Sequence, residues 1–364
     1  MPSHSAACRL IGPAPRPASL RAAGAAVPPP VSSADVGAVA STHLFLRSPD
    51  ETPQLTVPPP DCAGRVPLCA DHAIDGRPGM RFMRVGEPGA ERPVLLTVDG
   101  RHLDLSGLTP DIDGAFLAGG GVERARAAEA AGRLPGLDIT GRRVGPPVAR
   151  PGTIACIGLN YARHAAESGS APPAVPVVFL KASNTVAGPY DDLVIPRGST
   201  RTDWEAELAV VIGRRAHYLP DPASAVEVIA GYAVSNDVSE REFQAGDPGG
   251  QWVRGKSCES FNPLGPWLVT PEEVPRPGDL AIASEVNGEA RQASRTSDMI
   301  FDVPYLIWYL SQYLVLEPGD VVNTGTPEGV ALSGRFPYLA AGDEVRVRIE
   351  GLGEQRQTCR EAAG

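Results

Sequence analysis

Hydrophobic and polar positions set the outline of this chain. From Met80 the stretch MRFMRVG shows strand-like alternation and 344–353 alternates strictly, which predicts strands, and 93–98 is a further plausible strand. Asp99-Gly100 after the second run is a hairpin signal, with a return through His102-Leu103-Asp104-Leu105. A second hairpin is predicted over 280–294, turning at Asn287-Gly288. Longer apolar runs at 153–161, 177–181, 208–212, 231–236 and from 321 have the character of buried strands. Helical spacing or composition appears at 122–131, 161–169, near 221–229 and, as the longest apolar helix, near 303–314. Gly119-Gly120-Gly121 lacks the strand–glycine–helix spacing of a dinucleotide site and reads as a loop.

Composition divides the chain. Residues 1–79 carry two proline triplets and alanine-rich runs without periodicity, the composition of an unpacked extension. Residues 1–34 contain arginine but no acid, a loose likeness to transit peptides, but the preferred expectation is that Met80 is the natural start and 1–79 a disordered extension dispensable for chemistry. Residues 80–150 read as a small amino-terminal domain, bounded by the Pro/Gly-rich 144–152, and 151–364 as the main one. A net charge of -10 argues against a nucleic-acid or anionic-membrane partner. The six cysteines form no framework and read as free thiols, consistent with a cytoplasmic setting. No Walker loop, H-E-x-x-H, G-x-S-x-G or zinc-type cysteine cluster is present, so nothing indicates a nucleotide, flavin or zinc cofactor.

The candidate chemistry gathers after residue 153. In DWEAELAVVIG (203–213) Asp203, Glu205 and Glu207 alternate with apolar residues, so on a strand three carboxylates share one face. That face is either solvated or, entering a core, in need of a compensating cation. His164 and Glu167 stand at i and i+3 of a helix, either a solvated pair or an imidazole oriented by a carboxylate for general-base work. Asp237, at the end of 231–236, could meet the acidic strand or cap the turn that follows, which carries Arg241 and Gln244. Of 33 basic residues only Lys181 and Lys256 are lysine, a compact ammonium kept where arginine's planar fork will not serve. The small-residue loop NTGTPEGV, with Thr326, is either an oxyanion cradle or a tight turn.

Six stretches in this order, IGLNYARHAAE, FLKASNTVAGP, DWEAELAVVIG, GYAVSNDVSEREFQ, GKSCESFNPLGPW and NTGTPEGV, closely resemble the fumarylacetoacetate hydrolase family. The resemblance covers about 80–353 and is strongest over 153–331. It implies a β-rich α+β fold, a mixed β-roll or sandwich behind a small amino-terminal domain, assembled as a homodimer. It implies a metal triad at Glu205, Glu207 and Asp237 for Mg²⁺ or Mn²⁺, and a water-activating pair at His164 and Glu167 on a lid helix. Lys256 would stabilise developing charge, while Lys181, Arg241, Gln244 and Thr326 would contact substrate. The implied reaction is metal-dependent hydrolysis of a carbon–carbon bond in an acylpyruvate-type 1,3-diketo acid. Oxaloacetate decarboxylation and 2-hydroxy-dienedioate isomerisation use the same scaffold, and a catalytically silent metal- and ligand-binding protein is the alternative of another class. Cys258-Glu259 and Ala293-Ser294 depart from the family pattern, which bears on substrate more than on reaction type.

Overall fold

The computed structural model describes residues 79–246 and 250–363. The expectation for the amino-terminal extension therefore falls, Gly79 apart, outside the described residues.

The organising strand is Ala206–Ile212, every residue of which is buried. Leu208, Val210 and Ile212 enter one apolar core with Val234, Ile282, Val345 and Val347. The alternate residues Ala209 and Val211 enter another with Phe82, Leu95, Leu264 and Leu268. A strand covered on both faces has no polar side to show, which is why its sequence is a continuous apolar run.

Around it lies a ten-stranded mixed sheet. On one side Ile229–Asn236 pairs antiparallel with Ala206–Ile212; Leu268–Val269, Arg81–Val85, Arg92–Leu96 and His102–Asp104 continue outwards. On the other, Val321–Asn323 pairs antiparallel, then Ile154–Gly158 parallel, and Val177–Lys181 forms the edge. A five-stranded sheet of Glu289–Arg295, Ala281–Val286, Glu344–Ile349, Gly353–Glu361 and Leu193–Ile195 closes the first core. The result is a strand-rich α+β sandwich. Residues 80–150, read from composition as a unit of their own, share the large sheet: Arg81 and Phe82 pair with Val269 and Leu268.

The hairpin predicted at Asn287-Gly288 is present, both residues having positive φ (54° and 77°) as the two-residue turn requires. The helix expected over 122–131 is found as Gly121–Ala130; the glycine triplet leads straight into it, Gly120 occupying the left-handed position before its first turn. The long apolar helix runs Val303–Ser311, shorter than expected at its end, with Asp302 accepting from Tyr305 N at 2.9 Å. The helix placed near 221–229 is a 3₁₀-helix, Pro222–Val228. Among the described residues Cys156, Cys258 and Cys359 are free, and no helix is long and apolar enough to cross a membrane.

Candidate active site

The strand register assembles the carboxylates. Ala206 lies opposite Asn236 and Glu207 opposite Ser235, so the chain beyond Asn236 arrives alongside Glu205. Asp237 N donates to Glu205 O at 2.9 Å, and Asn236 Oδ1 accepts from Glu205 N at 3.0 Å. Glu205, Glu207 and Asp237 thus offer one oxygen each within 4.8 Å of one another, all three buried. The spacing suits a hard divalent cation with oxygen ligands. Glu207 accepts one hydrogen bond, from Gly325 N at 2.7 Å; burial first, then Asp237 and Glu205, push its carboxyl well above the usual range. A cation in the triad would relieve that repulsion, so the residues fit the metal the family uses.

The expected strand over 203–213 is interrupted at Trp204 and Glu205. Thr202–Asp203 belongs to a separate ladder with Ser239–Glu240, and Asp203 does not join the triad. It accepts instead from Arg241 Nε at 2.8 Å and from the backbone N–H groups of Ala331 and Leu332 at 2.8 and 3.0 Å. Arg241 bridges onward to Glu205 Oε1 at 2.6 Å and donates to Gln244 Oε1 at 3.1 Å. Asp203 is therefore joined to the acidic cluster through arginine.

Lys256 ends the short helix Trp252–Lys256, its ammonium 2.6 Å from Glu205 Oε2 and 2.9 Å from Asp237 Oδ2. Gly255 lets this helix meet Arg241–Ala245: a Cβ there would lie 2.5 Å from Gln244 N. Burial opposes the Glu205 charge, but Lys256 and Arg241 outweigh it and bring the carboxyl down to about 2. Burial likewise opposes the Lys256 charge, and Asp237 and Glu205 overcome it, raising the ammonium above its ordinary value. Lys181 departs from its expected substrate contact. It lies buried behind Asp237, bonded to Asp237 Oδ1 and to Val238 O, and does not line the cavity.

A cavity of about 230 Å³ opens over the cluster, lined by His164, Glu205, Glu207, Arg241, Gln244, Lys256 and Thr326 among others. His164 and Glu167 are on one helix, Ala162–Glu167, but the expected orienting bond between them is not made. Nδ1 is 3.8 Å from Glu167 Oε2, beyond hydrogen-bond reach, and has no partner. Glu167 accepts instead from Gly329 N and Arg335 Nη1, each at 2.9 Å. Burial lowers the His164 pKa below its ordinary value, with Glu205 pulling the other way, which favours the neutral imidazole. Thr326 donates its hydroxyl to Ala206 O at 2.9 Å and accepts from Gln292 Nε2 at 2.8 Å.

Two supporting residues escaped the sequence reading. Gln292 is fully bonded: Oε1 accepts from Ala206 N and Ser284 Oγ, while Nε2 donates to Thr326 Oγ1 and Pro327 O. Asn160 ties the loop after Ile154–Gly158 to Thr324 O and Phe301. Each amide makes a bond to a residue far along the chain, Gln292 to Ala206 at a separation of 86 and Asn160 to Thr324 at 164, and no local pattern marks such a pairing.

Residues 153–360 match the family described as "Fumarylacetoacetate (FAA) hydrolase C-terminal". A Burkholderia multivorans protein, provisionally named a hydrolase without a substrate, is 49% identical over 286 residues, 78% of this chain and 100% of that one. The structure of a 2-hydroxyhepta-2,4-diene-1,7-dioate isomerase from Mycobacterium marinum is 30% identical, with a TM-score of 0.61. That of a maleylpyruvate hydrolase from Sphingobium sp. SYK-6, in complex with manganese (II) ion and pyruvate, is 28% identical with a TM-score of 0.64. Each of the two covers 78% of this chain and 100% of its own. The chain belongs to the fumarylacetoacetate hydrolase family.

Proposed function

We propose that this protein hydrolyses a carbon–carbon bond in an acylpyruvate-type 1,3-diketo acid with the help of Mg²⁺ or Mn²⁺. The observation that carries the reading is one cavity lined by Glu205, Glu207, the buried His164, Lys256 and Arg241, with Asp237 within ligand reach of the two glutamates. Glu205, Glu207 and Asp237 would hold a divalent cation, which would supply Lewis acidity towards the oxygens of the 2-oxo acid. Arg241, Gln244 and Thr326 line the place where the carboxylate and adjacent carbonyl are received. His164 accepts a proton on its imidazole from water, whose oxygen adds to the distal carbonyl carbon. The carbon–carbon bond then breaks towards the pyruvate fragment, whose negative charge the Lys256 ammonium stabilises until the carbon is protonated. Water is thereby divided between the two products, hydroxyl to the acid and hydrogen to pyruvate.

Decarboxylation of oxaloacetate is a second reading, favoured by one observation: Glu167 is bonded to Gly329 and Arg335 rather than to His164, and loss of carbon dioxide needs no activated water. Assembly as a homodimer belongs to the same reading and is checked by light scattering. The deciding assay follows pyruvate release and diketone absorbance with acetylpyruvate, fumarylpyruvate and oxaloacetate, in Mg²⁺, Mn²⁺ or EDTA. Metal-dependent cleavage of an acylpyruvate is the expected result. Pyruvate from oxaloacetate alone would move the assignment to decarboxylase, and silence on all three would leave isomerisation or ligand binding.

A further inference from the structure

The lining of the cavity is not uniformly polar. Its apolar part begins beside Lys256, whose ammonium lies 5.0 Å from the centre of the Phe179 ring. Trp252 meets Phe179 edge-on at 5.2 Å, and Ile157 and Leu159 belong to the same lining. Gly158 makes room for this arrangement, since a Cβ there would lie 2.7 Å from Trp252 Cζ3.

Leu159 has φ +54°, a conformation that a leucine rarely adopts. Its neighbour imposes it. Asn160 Nδ2 donates to Thr324 O at 2.7 Å and Phe301 O at 3.1 Å, and Asn160 Oδ1 accepts from Phe301 N at 2.9 Å. A disfavoured backbone held by so many bonds is the mark of a side chain that has to stand in one place, and here that place is the cavity wall.

Charge points the same way. The buried cluster joins the carboxylates of Asp203, Glu205, Glu207 and Asp237 to the cations Lys181, Arg241 and Lys256, leaving one formal negative charge. A divalent cation in the triad turns that into one positive charge, matched by one substrate carboxylate. Among the described residues the lysine and arginine of the lining, Lys256 and Arg241, are already ion-paired. A second carboxylate against Phe179, Trp252 and Leu159 would lose its hydration without a partner.

We propose that Leu159, Phe179 and Trp252 form the receptor for the acyl end of the substrate, and that this substrate is a monocarboxylate with an uncharged, apolar acyl group rather than a dicarboxylate. The proposal rests on the 2-oxo acid reading of the site given above.

The test is calorimetric binding to the Mn²⁺-loaded protein of two uncleavable 2-oxo acids, 2-oxoglutarate and 5-methyl-2-oxohexanoate, in which isopropyl replaces the terminal carboxylate. The isopropyl compound should bind about tenfold more tightly or better, because it buries apolar surface where the other desolvates a charge. That preference should shrink severalfold in Trp252→Ala and in Leu159→Asn, the latter keeping a residue that tolerates the same backbone. Equal or tighter binding of 2-oxoglutarate by the wild-type protein would overturn the proposal and leave the 2-oxo acid reading standing. A preference unchanged in both variants would overturn the assignment to this wall. Binding of neither compound would overturn the 2-oxo acid reading itself, and this proposal with it.

Discussion

The carboxylate cluster and the His164 helix face the same cavity but are built in opposite ways. Glu205, Glu207 and Asp237 sit on or beside central strands of the large sheet, and Lys181, Lys256, Arg241 and Gly325 N bond to their oxygens. His164 and Glu167 sit on a six-residue helix at the rim, with Nδ1 unpartnered and Glu167 bonded to the loop opposite. One region is set by the core before any ligand arrives. The other reaches the geometry of a general base only if Glu167 exchanges partners. Under the proposed function the first would act as preorganised charge and the second as an adjustable base, and the two should fail differently.

Four substitutions and a pH profile separate them. Glu205→Ala removes a carboxylate of the proposed metal triad and the partner of Lys256 and Arg241. Turnover should fall below detection, with Mn²⁺ affinity reduced by more than about 100-fold in a calorimetric titration, since even outer partners of a metal ligand are worth 10–100-fold. His164→Ala should lower kcat by roughly 10²–10⁴, the usual worth of a general base, while Mn²⁺ affinity stays as in the wild type. Equal metal loss in both variants would abolish the distinction. Asp203→Ala leaves the buried Arg241 with Glu205 alone and orphans two N–H groups. It should cost about 3–5 kcal/mol in urea unfolding.

The pH dependence follows from the imidazole. Because burial depresses the His164 pKa, the neutral, proton-accepting form persists below the ordinary value of 6.5. The acidic limb of kcat/KM, where activity is lost as pH falls, should therefore lie below that value. A limb above it would assign the base elsewhere. The smallest effect is expected of Arg335→Ala, which removes an exposed partner of Glu167. Its stability cost should stay within about 1 kcal/mol, and kcat should hold or rise as Glu167 is freed to approach His164.

Much of the fold was legible because hydrophobic patterning reports burial directly. The 80–85 and 93–98 strands, the Asn287-Gly288 hairpin and the doubly buried 208–212 run all appear where local sequence demands them. The Pro/Gly-rich 144–152 reads in sequence as a break, and composition could not tell that Arg81–Val85 would hydrogen-bond to Leu268–Val269 beyond it. The site divides in the same manner. Residue type and spacing mark out the acidic strand, the His164 pair and the two lysines as candidates, and the family resemblance supplies the rest of the set; the structure places Glu205, Glu207, His164, Lys256, Arg241, Gln244 and Thr326 in the lining of one cavity, with Asp237 beside the two glutamates.

The sequence by itself determined which side chains are available and how the strands alternate, because covalent spacing and the price of burying charge are local facts. The partner of each charge was decided only by tertiary structure. Asp203 goes to Arg241 rather than the triad, Lys181 to the back of Asp237, and Glu167 to Gly329 and Arg335 rather than His164. In a buried cluster each ion takes whichever opposite charge or N–H the register brings within about 3 Å. That register is set by strands and loops far apart along the chain, so spacing in sequence cannot foretell it.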